Sequence, residues 1–168
     1  MKLSLFVTTL ALLALSQANA TQKMCPPGDT AICQDQDKLV ISGRIIPFCD
    51  IKVNADAAAT NLNISSGETA KKVASVTEST NSPNGYTVHV ASANSGKLVN
   101  GTSQVPYQLS YNSGAFFSPL ATNTLVKTKA GPLTSTVTEV SDVKVSFAAS
   151  SGSAGLYSDT LTFTLTGL

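Results

Sequence analysis

From Leu39 onward the dominant signal is an alternation of apolar and polar positions with period two, the spacing that puts every second side chain on one face of a β-strand. In Leu39-Val40-Ile41-Ser42-Gly43-Arg44-Ile45 one face reads Leu39, Ile41, Gly43, Ile45; after Pro47 the pattern resumes in Phe48–Val53, with Cys49, Ile51 and Val53 on one face. Further strands are predicted at Lys72–Thr77, Tyr86–Val90, Lys97–Val99, Val105–Tyr111, Asp142–Phe147 and Tyr157–Thr166. They are separated by turn-forming Asn81-Ser82-Pro83-Asn84-Gly85, Ser95-Gly96 and Asn100-Gly101, of which Asn84-Gly85 reads as a tight reversal. Pro106 has no N–H, so its strand lies at a sheet edge or begins there. Residues 112–132 carry no clean period, and Phe116 and Phe117 are read as plugging one end of the fold.

No segment carries a 3.6-residue apolar stripe, and Ala57-Ala58-Ala59 is too short for a helix of consequence. The fold class is therefore all-β, and the number of strands fits a two-sheet, immunoglobulin-like β-sandwich. Leu39–Val53 has two readings: a single long first strand within its own sandwich, or a strand offered to another core. Alternation alone does not say whose core a strand enters. At the other end, the last strand runs to Thr166, leaving Gly167 and Leu168 and no further strand to pair beside it.

The strands are preceded by a different kind of segment. Met1-Lys2 leads into an apolar run to Leu15 and closes on Ala18-Asn19-Ala20, a small-x-small cleavage pattern, so residues 1–20 read as a secretory signal peptide. The run is shorter than the ~20 residues that span a bilayer, and no later segment is long and apolar enough, so membrane insertion of the mature chain is not expected. Residues 21–37 are patternless and Pro/Gly-containing, an irregular leader to a domain at 38–168.

Removing the signal takes away Lys2 and no acidic residue, so the mature chain balances to zero net charge, against +1 for the whole chain. Neutrality excludes the bulk attraction that draws a protein to nucleic acid or anionic lipid. Ser and Thr are abundant and Trp is absent, a composition that suits exposed sheet faces and is poor for helices.

Export places Cys25, Cys33 and Cys49 in an oxidising compartment. Cys25 and Cys33 flank the turn-rich Pro26-Pro27-Gly28-Asp29, which makes a Cys25–Cys33 disulfide the first expectation and leaves Cys49 as a buried free thiol. Pairing of Cys49 with either of the others stays open. The cysteines and the lone His89 lack zinc-site spacing. His89 falls on the Thr87 and Ala91 face as a surface residue, with no triad around it. Asp35, Asp37 and Asp142 read as solvated or turn carboxylates. Asp159 shares the alternation of Tyr157 and Leu161, so it either meets solvent at a strand edge or bonds backbone at the rim. Tyr157 is expected at the core or rim with its hydroxyl satisfied. No catalytic constellation, cofactor or metal site is expected.

Several segments resemble a known family. Leu39–Ile46, Pro47 and Phe48–Val53 resemble the amino-terminal region of class 5 (alternate chaperone-usher pathway) fimbrial subunits, and Gly152–Leu165, with Ala154-Gly155-Leu156-Tyr157-Ser158, is similar to the closing strand of those subunits and of spore coat protein U-like secreted pilins. Asn84–Val88 and Val105–Tyr111 resemble the same groups. The resemblance spans residues 39–168 and rests on short motifs. It implies a sandwich missing its last strand, filled first by a periplasmic chaperone, under an outer-membrane usher, and then by the amino-terminal strand of the next pilin subunit. It further implies a non-enzymatic structural role in a fimbrium at the cell surface, or in a secreted pilin-like protein, with cell adhesion as its outcome. Residues 38–46 become the donor strand, with Leu39, Ile41 and Ile45 as plugs and Gly43 where space is tight; Ile51, Val53, Leu161, Phe163 and Leu165 line the acceptor groove. Such subunits often pair the first-strand cysteine with one on the next strand, where this chain is expected to hold Ser79. The alternative is a self-contained secreted or periplasmic β-sandwich that binds a glycan or a protein partner.

Overall fold

A computed structural model describes residues 36–168, and the chain divides between Gly43 and Arg44. Residues 44–168 form the unit followed here. The signal peptide and the Cys25–Cys33 pairing lie outside the described residues.

The described chain is all-β: β1 Cys49–Ala55, a single 3-10 turn at Ala57–Thr60, β2 Glu68–Thr80, β3 Gly85–Ser92, β4 Lys97–Asn100, β5 Ser103–Pro106, β6 Gln108–Tyr111, β7 Thr124–Ala130, β8 Val137–Phe147 and β9 Leu161–Gly167. Antiparallel pairing gives one sheet in the order β1-β2-β8-β6, a second in the order β7-β3-β9, and a β4–β5 hairpin. The two larger sheets form a β-sandwich around one core.

Alternation decides which side chains fill it. On β3, Tyr86, Val88 and Val90 are buried, while Thr87, His89 and Ala91 between them are only partly so. Val73 and Val76 on β2 and Val143, Val145 and Phe147 on β8 face them, joined by Leu98, Val105, Tyr107, Leu109 and Tyr111. Each fully buried aliphatic side chain contributes about 1.5–3 kcal/mol by leaving water. Most outward positions of the same strands are polar, as on β8 at Thr138, Asp142 and Lys144.

Several expectations change. Residues 36–48 carry no strand, so the reading of Leu39–Val53 as one long strand fails; regular pairing begins at Cys49, two residues past Pro47. That entry is held by Asn81, whose side chain accepts from the N–H of Phe48 at 2.8 Å and donates to the carbonyl of Ile46 at 2.9 Å. Asn84-Gly85 does not close a hairpin: β2 and β3 belong to different sheets, and the turn carries the chain between them. Gly85 is required there, because it has φ +96° and a Cβ would meet the Lys129 carbonyl at 1.9 Å. Val105–Tyr111 is two strands, broken at Tyr107: β5 ends at Pro106 and pairs with β4, whereas β6 pairs with β8. The unpatterned 112–132 stretch holds β7. Within it Phe117 packs on the core, and Phe116 is 37% exposed and does not serve as a plug.

Candidate functional site

A two-sheet sandwich has two lateral flanks, where edge strands of the sheets face each other. The β6/β7 flank is crossed by the chain itself. Leu109 and Phe117 exchange backbone hydrogen bonds of 2.7 and 2.9 Å, the N–H of Ser92 donates to the Leu120 carbonyl at 2.8 Å, and Pro119 is fully buried. Residues 112–123 thus strap that side.

Among the described residues, no segment straps the β1/β9 flank. β1 pairs only with β2 and β9 only with β3, so among the described residues both strands have an outer edge without a strand partner. The two edges meet at one end, where a Cβ on Gly167 would lie 3.1 Å from the Cys49 sulfur. Towards the other end they enclose a cavity of about 200 Å³, lined mainly by apolar side chains including Val53, Ala55, Val73, Leu98, Val143, Phe147, Leu161 and Phe163. An apolar cavity of about 150 Å³ is large enough for a benzene molecule, so this one accepts a large aliphatic or aromatic side chain.

Along β9 the alternation reads Leu161, Phe163, Leu165, each half-buried against the core, with exposed Thr162, Thr164 and Thr166 on the other face. Of the residues expected to line an acceptor groove, Val53, Leu161 and Phe163 line the cavity. Ile51 and Leu165 pack on the core nearer the Cys49–Gly167 end. Val53 stays 48% exposed. Leu39, Ile41 and Ile45 are each 86% exposed.

Cys49 is exposed rather than buried, and has no disulfide partner among the described residues. Register corrects its expected neighbour: Asp50 lies opposite Ser79, while Cys49 lies opposite Thr80, whose hydroxyl is 3.3 Å from the sulfur. The position facing the first-strand cysteine is therefore a threonine.

Two polar arrangements complete the site: one follows the backbone-bonding reading of Asp159, and the other, around Glu78, escaped the sequence reading. Asp159, at the cavity wall, precedes β9 instead of lying within a strand. Its carboxylate accepts from Ser92 Oγ and Tyr107 OH, both at 2.6 Å, and from the backbone N–H of Asn94 at 2.9 Å and Thr160 at 2.7 Å. This knot fixes where β9 enters the sheet. Burial, followed by the Asp159 bond, pushes the Tyr107 hydroxyl well above its ordinary pKa, so it stays a donor. Tyr157 lies at the rim, and its hydroxyl donates to the Ser153 carbonyl at 2.9 Å. The second arrangement surrounds Glu78, which is completely buried. No residue-type signal marks Glu78 as inward; only its place two beyond Val76 and two before Thr80 on one strand does.

His89 is partly exposed on the outer face of β3, between Thr164 of β9 and Leu125 of β7. No group of three or more His, Cys, Asp or Glu placed to hold a metal occurs among the described residues. No helix there is long and apolar enough to cross a membrane. Searches against protein-family models and curated proteins find no match.

Proposed function

We propose that this protein is a structural subunit of a bacterial surface fimbria, or a secreted pilin-like protein, whose β1/β9 flank takes up an apolar strand from another chain. The observation that carries this reading is the flank: two unpaired edges over an apolar cavity, with Leu161, Phe163 and Leu165 alternating along one of them. Strand addition satisfies the exposed backbone donors and acceptors, and its alternate side chains fill the space between the sheets. The chain also carries a segment of the matching kind, with Leu39, Ile41 and Ile45 exposed at period two.

On this reading residues 1–20 direct export through the periplasm, a periplasmic chaperone and an outer-membrane usher guard the flank, and other pilin subunits occupy it in the fibre at the cell surface. The role is structural and serves adhesion, without catalysis. The test compares the mature chain with one lacking residues 21–46, alone and with a peptide of residues 38–46. Stabilisation of the shortened chain by the peptide, lost when Ile41 of the peptide becomes Asp, supports strand exchange. A mature chain that stays monomeric, with a shortened chain that the peptide does not stabilise, favours the self-contained sandwich that binds a glycan or protein partner.

A further inference from the structure

The two halves of the core differ in kind. Beside the cavity the inward positions of β2 and β8 are mainly apolar; towards the other end of the same strands, facing β7, they carry charge. Glu78 of β2, fully buried, receives Lys127 Nζ of β7 at 2.6 Å and Tyr86 OH of β3 at 2.6 Å, and Tyr111 OH of β6 on its other oxygen. Lys127 also reaches Glu139 of β8 at 2.8 Å and Ser141 Oγ at 3.1 Å. Lys129 meets Glu139 at 2.7 Å, and the Tyr86 OH, whose single proton is shared between the two carboxylates, lies 3.1 Å from Glu139. Lys127 further lies over the Tyr86 ring, 5.6 Å from its centroid. Tyr86, Lys127 and Lys129 belong to the β7-β3-β9 sheet, and Glu78, Glu139, Ser141 and Tyr111 to the other, so every one of these contacts except Tyr111–Glu78 and Lys127–Tyr86 runs between the sheets.

We propose that Glu78, Lys127, Glu139 and Lys129, with Tyr86 and Tyr111, form a charged clasp that holds the two sheets together while the β1/β9 flank stands open, and that strong acid is what releases it. The inference is independent of what occupies the flank. Apolar packing between the sheets is interrupted at the cavity, whereas the clasp fixes their separation by directional contacts with both signs of charge compensated. The remaining elements around Glu78 add no titratable group: β1 places Ile51 opposite it, and β9 brings Phe163 against the Tyr111 ring at 5.9 Å between centroids.

The direction of the pH response follows from these contacts. Burial alone raises the Glu78 pKa, but bonds from Lys127, Tyr111 and Tyr86 outweigh it and hold the carboxyl below its ordinary value of 4.5. Bonds from Lys127 and Lys129 bring Glu139 down to about 2. Carboxylates lowered by folding add stability that is complete above the ordinary carboxylate range and is lost as pH falls through the folded values. The clasp therefore survives mild acid and is released only in strong acid, where Glu139 too is protonated, near pH 2.

The test is thermal unfolding of the mature chain between about pH 2 and 7, for wild type, Lys127→Met and Glu78→Gln. The wild-type midpoint rises from about pH 2 to 5 and then levels. Without Lys127, Glu78 is buried beside no cation of its own, its pKa rises above the unfolded value, and the slope reverses. The Lys127→Met midpoint is lower by on the order of 10 °C at pH 7 and recovers towards pH 4. If that variant does not fold at pH 7, transfer to pH 4 restores it; a chain unfolded at both overturns the proposal. A Lys127→Met profile parallel to wild type also overturns it, because a merely structural contact shifts the midpoint without changing the sign of its pH dependence. Glu78→Gln keeps Lys127 on Glu139 and flattens the acid rise, and an unchanged rise overturns the proposal as well.

Discussion

The two flanks of this sandwich are built from the same material and end in different states. At β6/β7, Leu109 is fully buried and shares two backbone hydrogen bonds with Phe117, and the chain between them and β7 crosses the gap. At β1/β9, Phe163 holds an equivalent apolar position on its strand, yet is only partly buried beside a cavity of about 200 Å³. Both flanks offer apolar residues at a sheet edge, although β7 of the closed flank also turns Lys127 and Lys129 inward. The difference that leaves a cavity lies in whether a described segment lies across the edges. A sandwich whose core is completed on one side only has a place for a strand on the other.

Substitutions along the two flanks sharpen that contrast. Leu109→Ala, on the closed flank, removes a side chain with no exposure and lowers unfolding free energy by about 3 kcal/mol in chemical denaturation. Asp159→Asn takes the charge from the acceptor of Ser92, Tyr107 and two backbone N–H groups at the mouth of the cavity, and costs about 2 kcal/mol by the same measurement. Phe163→Ala costs the isolated chain less than Leu109→Ala, about 2 kcal/mol, because its side chain is only partly buried beside the cavity, but it abolishes stabilisation by a peptide of residues 38–46. Equal losses at Leu109 and Phe163 would mean that the flanks are equally closed. Ala74→Val, which adds methyl groups at the cavity wall, raises stability by about 0.5 kcal/mol while weakening the peptide's effect, separating a filled flank from a merely stable one. The smallest effect is expected at the exposed Lys72–Asp142 pair on the outer sheet face. Lys72 holds the Asp142 carboxyl below its ordinary range, but Asp142→Asn leaves the melting midpoint at pH 7 nearly unchanged.

Alternation made the core strands legible. Tyr86, Val88 and Val90 on β3 and Val143, Val145 and Phe147 on β8 follow the period of two that names them in the sequence. β7 was not legible, because its inward positions include Lys127 and Lys129, whose charges are compensated by residues of the opposite sheet that no local pattern reveals. Glu78 was missed for the same reason. The start of β9 was misread by four residues: Tyr157 and Asp159 keep the alternation, but the knot around Asp159 holds the chain outside the sheet until Leu161. Val53, Leu161 and Phe163 were readable as apolar strand residues. Their meeting at one cavity depends on β1 and β9 lying on the same side of two different sheets, which is a property of topology and not of any segment.

The central claim is that the outer edge of β9 is open and accepts an apolar strand. Amide hydrogen exchange on the dilute mature chain measures this directly, because the N–H groups of β9 that point away from β3 lack a strand partner. They are expected to exchange like solvent-exposed amides while the alternate ones, bonded to β3, are protected, and excess peptide of residues 38–46 should slow the outward set without changing the inward one. Outward amides already protected in the dilute chain, or unaffected by the peptide at any concentration, would contradict the account.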